Sequence, residues 1–121
     1  MDFAYRNIEI RASTDNWGPW PFDITNAIPA GESIQSVSVA AYAGKVTPDD
    51  ATLVGSTLTF TGKTAIGLID TDYAPVISGA EVRVKLKYPG GVYKGTATLV
   101  FDVTLVGTGK FPFFFDGIKI K

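Results

Sequence analysis

The stretch "YKGTATLVFDVTLVG", residues 93–107, decides the fold. Tyr93, Gly95, Ala97, Leu99, Phe101, Val103 and Leu105 fall at alternate positions. Lys94, Thr96, Thr98, Asp102 and Thr104 fall between them, interrupted only by Val100. A helix scatters these two sets around its circumference, whereas a strand turns one set to a core and the other to water. The spacing predicts a long central strand.

Working outward, "EVRVKLKYP" (81–89) repeats the logic, with Val82, Val84, Leu86 and Tyr88 inward and Glu81, Arg83, Lys85 and Lys87 outward. "YPGGVY" (88–93) joins the two strands through a Pro-Gly-Gly turn, and its length suits either a hairpin or a crossover between sheets. "SIQSVSVAAYAG" (33–44) sets Val37, Val39 and Ala41 against Ser36, Ser38 and Tyr42. "VTPDDATLVG" (46–55) reads as a loop into a short strand, and "STLTFTG" (56–62) as its successor with Leu58 and Phe60 alternating with Thr. "TAIGLID" (64–70) is a candidate short strand. Residues 70–80 read as an irregular edge, since Pro75 has no N–H to give a ladder. Both ends, "FAYRNIEIRA" (3–12) and "KFPFFFDGIKIK" (110–121), are rich in strand-forming residues. The expectation is an all-β, immunoglobulin-like or fibronectin-III-like antiparallel sandwich of seven or eight strands, with a small barrel as the alternative. With no repeat, linker or low-complexity segment, residues 1–121 read as one domain.

Composition narrows the function. Apolar residues make up 45% and charged residues 19%, a globular balance, and 11 basic against 12 acidic residues leave a net charge of −1. No net field draws the chain to nucleic acid or a membrane. The absence of Cys removes disulfides and thiolate metal sites, and the absence of His removes the side chain best suited to proton transfer near neutral pH. The usual nucleophile–base pairs are therefore missing, and the expectation is a non-enzyme with no catalytic residue, cofactor or metal. "MDFAYRNIEIRAS" (1–13) has no apolar signal region and no stretch is long enough to span a bilayer, so synthesis in the cytoplasm without a signal peptide is expected.

The candidate binding residues are aromatic. "NWGPWPFDI" (16–24) holds both tryptophans. Trp20, Phe22 and Ile24 alternate as a core-facing strand, which leaves Trp17, between "STDN" and Gly-Pro, as the more exposed ring. In "FPFFFDGIKIK" (111–121), Phe111, Phe113 and Phe115 share one face and Phe114 the other. A bulge at Asp116-Gly117 would turn Ile118 and Ile120 inward with Phe114, and the competing reading is an apolar surface awaiting a partner subunit. Asp49-Asp50 and Asp70/Asp72 suit ordinary turns and supply too few oxygens for calcium by themselves. Arg83, Lys85 and Lys87 form a basic stripe without interleaved aromatics, which reads as a solvated face.

"NAIPAGESIQSVSV" (26–39) resembles small Ig-like proteins of phage particles, the fiber-tail adaptors and related virion proteins. In these a Trp-containing strand precedes an x-G-E-x-I-x-S approach to the second strand. The matching residues here are Trp20 to Ile24, then Gly31, Glu32, Ile34, Ser36 and Val37. "ISGAEVRVKLKYPGGVYKGTATLVFDVTL" (77–105) is similar to the paired strands of that group around a Gly-containing turn, with Tyr93 opening the second. The similarity runs from 17 to 106, while the N-terminal "MDFAYRNIEIRAS" and the "FPFFF" end lie outside it. The resemblance implies a non-enzymatic structural subunit or adaptor of a phage or prophage particle, located in the virion and acting by protein–protein contact or self-association. Trp17, Phe111 and Phe114 are the candidate anchors. The alternative is a carbohydrate-binding or cell-surface adhesion module that stacks sugars on Trp17 with Tyr42 or Tyr73.

Overall fold

A computed structural model describes residues 8–10, 17–54, 57–88, 93–107 and 109–121, together with all of their side chains except those of residues 17 and 18. Among them nine strands form three sheets: β1 (Ile8–Ile10), β2 (Trp17–Asp23), β3 (Ile34–Ala43), β4 (Ala51–Val54), β5 (Thr57–Phe60), β6 (Val76–Ser78), β7 (Glu81–Leu86), β8 (Gly95–Leu105) and β9 (Gly109–Ile120). The larger sheet runs β1-β9-β8-β3, the smaller runs β2-β7-β6, and β4-β5 is a separate hairpin. Every strand pair is antiparallel except β1 on β9. No helix among the described residues is long and apolar enough to cross a membrane.

The alternation in β7 and β8 carries the core. Val82, Val84 and Leu86 from the smaller sheet and Ala97, Leu99, Phe101, Val103 and Leu105 from the larger are all buried in one cluster. Phe22 bridges the sheets, its ring centroid 5.1 Å from that of Phe101 and 5.2 Å from that of Phe115. Trp20 packs half-buried against this cluster, and Ile24 is fully inside it. The six-residue link after β7 thus joins two sheets, because β7 and β8 lie in different ones. "TAIGLID" is not a strand of its own but the step between sheets. Ala65 bridges to Tyr42 of the larger sheet and Ile69 to Leu86 of the smaller.

One face assignment at the C-terminal end is corrected. The register of β9 on β8 jumps from Leu99↔Phe115 to Ala97↔Ile118, so Asp116 and Gly117 together oppose Thr98. The bulge is where the Asp-Gly step predicts it, but it brings Ile118 and Ile120 into the main core with Phe115, not with Phe114. Phe114 stays on the opposite face, in a second cluster with Val46, Phe60 and Val100. The reason is arithmetic: Phe115 and Ile118 are three residues apart, and one extra residue makes an odd spacing share a face. The proline in "FPF" is tolerated for a similar geometric reason. Even-numbered residues of β8 direct their backbone groups toward β3, as Thr96 C=O does to Gly44 N–H at 2.8 Å. Pro112, opposite Asp102, therefore turns its missing donor away from β8.

Candidate functional site

The outer face of the larger sheet was expected to meet water, yet Thr98 and Val100 are buried there. What covers them begins with a turn. Tyr93 donates its hydroxyl to Thr96 C=O (2.6 Å) and accepts the Gly44 N–H (3.1 Å). Thr98 donates to Gly44 C=O (2.8 Å) and accepts the Val46 N–H (3.1 Å). Gly44 takes φ +76°, which side-chain-bearing residues rarely adopt. These bonds aim Val46 at Val100 and send the chain toward the hairpin.

Thr47 and Asp50 then brace the next turn. The Asp50 carboxylate accepts the Thr47 N–H at 2.9 Å and the Thr47 hydroxyl at 3.2 Å, with Lys63 Nζ at 3.7 Å. The backbone N–H of Thr47 above all, helped by the Lys63 charge, holds the Asp50 carboxyl below its ordinary value. From there β4 and β5 pair Ala51↔Phe60 and Leu53↔Leu58, which puts these four side chains on one face of the hairpin. Phe60 meets Tyr42 (centroids 5.2 Å) and the edge of Phe114 (6.0 Å).

Between the hairpin and the sheet lies a groove of about 260 Å³. It is lined by Ser38, Ala40 and Tyr42 of β3, Val100 and Asp102 of β8, and Leu58 and Phe60 of β5, with Val39 at its side. Asp102 Oδ2 lies 3.4 Å from Lys110 Nζ. At the hairpin's far end Leu53 and Val54 are 64% and 63% exposed, two adjacent large apolar side chains in water. The groove has an apolar roof and wall and one carboxylate.

Of the residues singled out from sequence, Tyr42 and Phe114 come together here. Phe111 lies on the other face of β9, half-buried against the main core. Tyr73 is beside the smaller sheet, with Lys85 Nζ 6.0 Å from its ring centre. Tyr42 thus stands on the outer face of β3 and Tyr73 in the bend before β6, and the placement of either ring relative to the Trp17 ring lies outside the described residues. Trp17 pairs its backbone with Leu86, and its side chain lies outside the described residues. The acidic pairs are engaged in turns: Asp70 accepts the Asp72 N–H (3.0 Å) and faces Lys85 at 4.0 Å. Among the described residues no group of three or more carboxylates gathers. The basic stripe is partly neutralised, as Arg83 Nε contacts Glu81 at 2.7 Å.

Leu53 and Val54 were missed from sequence. The signal was present as two adjacent apolar residues in "ATLVG", where a half-buried strand alternates. A second hollow, about 380 Å³ between residues 25–33 and 79–80, is lined mainly by Ile28, Pro29, Ala30 and neighbouring loop backbone. Its one charged group, Glu32, accepts the Gly107 N–H at 3.1 Å. Comparison with known protein families, curated proteins and solved structures finds no match to this chain.

Proposed function

We propose that the chain is a non-enzymatic, Ig-like structural protein, a subunit or adaptor of a phage particle that works by protein–protein contact. The order of hydrogen-bonded neighbours supports the Ig-like reading: β2-β7-β6 and β9-β8-β3 follow the same sequence of neighbours as B-E-D and G-F-C in an immunoglobulin sandwich. The hairpin β4-β5 falls between β3 and β6 in chain order, where the variable type has its extra pair, but it forms a sheet of its own and does not extend the larger one. The particle setting rests on the resemblance of residues 17–106. A chain without His or Cys, and a groove with one carboxylate already beside a lysine, support contact rather than catalysis.

The observation that carries the reading is the exposed hairpin tip, where Leu53 continues the apolar row of Leu58 and Phe60 that roofs the groove and Val54 stands out on the opposite face. A large apolar side chain held out beside an apolar groove extends it into one contiguous surface to be covered. Sedimentation velocity on the wild type and on Leu53→Asp/Val54→Asp, alone and with phage tail particles, tests it. Expected is a larger species or particle-bound protein for the wild type and a free monomer for the variant. A variant that associates as the wild type does overturns the reading. Saturable glycan binding lost in Trp17→Ala would replace it with the carbohydrate module.

A further inference from the structure

The partner's chemistry can be read from the edge of β3, on the reading that the protein works by contact. Ala41 C=O accepts the Ile66 N–H at 3.0 Å and Ala43 N–H donates to Thr64 C=O at 2.9 Å, so residues 64–66 cover the end of that edge. Every second residue of a strand turns its backbone groups to the same side, which directs those of Val37 and Val39 to this edge as well. Among the described residues no segment pairs with the edge at Val37 and Val39. The groove opens beside them, with Ser38 and Ala40 on its floor.

Two rows of the outer face run inward from this edge, Ala40–Val100–Phe114 and Ser38–Asp102–Pro112. The first is apolar. In the second, Asp102 Oδ1 is out of solvent with no hydrogen-bond donor among the described residues, while Oδ2 faces Lys110. A carboxylate oxygen in that position is stabilised most by a charged donor.

We infer that the β3 edge at Val37 and Val39 accepts an extended segment of a protein partner, bearing an apolar residue beside Ala40 and an arginine beside Ser38 that reaches Asp102. Strand addition supplies the backbone bonds, and the two side chains supply selection. The reach is right. A strand added to β3 lies two inter-strand spacings from β8, about 10 Å, which an extended arginine and its hydrogen bond to a carboxylate span. Ser38, between them, is small enough to lie beneath the guanidinium stem. Apolar and cationic side chains two apart share a face, so the partner motif is apolar-x-Arg in an extended chain.

The test titrates 15N-labelled protein with a blocked peptide SVTLTRT and with the control SVTLTET. Expected are amide shifts centred on residues 36–40, slowed exchange of the Val37 and Val39 amides, and about tenfold weaker binding of the control, the size of one charge-assisted contact. Asp102→Asn removes the preference for the arginine peptide. Ser38→Leu, at an exposed position, weakens that peptide by blocking its path and serves if the first variant is unstable. Equal binding of the two peptides, or no shift along β3, overturns the inference. If peptide binding is absent while Leu53→Asp/Val54→Asp still abolishes association, the contact function stands and only this edge is lost.

Discussion

Thr98 lies by alternation on the outer side of its strand, among threonines and a carboxylate, yet it is fully buried. Its hydroxyl serves both Gly44 C=O and the Val46 N–H, and so holds the turn that starts the cover over Val100. Thr98→Val keeps the shape and leaves two backbone groups without that partner, so a loss of about 1–3 kcal/mol is expected in urea unfolding. Thr98→Ser keeps the hydroxyl and costs less. The order Val worse than Ser is the check, because a site needing only volume would give the reverse. Asp50 acts at the same scale through its charge. Its folded pKa lies below the ordinary 3.8, so its stabilising share is complete above that value and fades as pH falls through the lower folded one. In Asp50→Asn that share is absent at every pH. Unfolding curves of the two proteins should therefore differ near neutral pH and converge in acid, while a gap of constant size would show that Asp50 does not act through ionisation.

At the scale of elements, the bulge in β9 makes a sharp prediction. Deleting Asp116 leaves Phe115 and Ile118 two apart, a regular spacing that keeps Ile118 and Ile120 in the core, so the fold survives with a change under about 1 kcal/mol. Deleting Lys119 instead forces Ile120 to the outer face, and losing that burial costs about 1.5–3 kcal/mol. Denaturation midpoints of the two deletions rank them. Strands β7 and β8 were legible in the sequence because β7 keeps a strict two-residue period with one buried face, and β8 keeps the same apolar alternation with Val100 as its one interruption. The outer face of β8 is nevertheless buried as well at Thr98 and Val100. Phe114 was placed on the right side of β9 but joined to the wrong isoleucines, since a bulge after Phe115 reassigns every residue beyond it. The covering of the outer face was not legible. Val46, Phe60 and Val100 are scattered across three separate segments, and no local pattern shows that a hairpin folds back over a sheet. Val100, the single interruption in the deciding stretch, was its only trace.

For the whole molecule, the residues that hold the fold and those offered to a partner are different sets. Phe22, Phe101 and Phe115 lock the two sheets together through ring contacts and have almost no exposed surface. Leu53 and Val54 contribute little to that core, being nearly two-thirds exposed at the end of a hairpin. Stability and association should therefore respond to separate substitutions. Phe101→Ala opens a cavity between the sheets and is expected to cost about 3–5 kcal/mol, enough to threaten folding of a domain this size. Leu53→Asp/Val54→Asp leaves the unfolding midpoint within about 0.5 kcal/mol, as exposed substitutions do, and abolishes assembly. Thermal unfolding and sedimentation of the same samples separate the two effects. If the hairpin variant instead melts with a loss comparable to Phe101→Ala, then the tip is part of the fold's own support, and its apolar exposure is no sign of a partner.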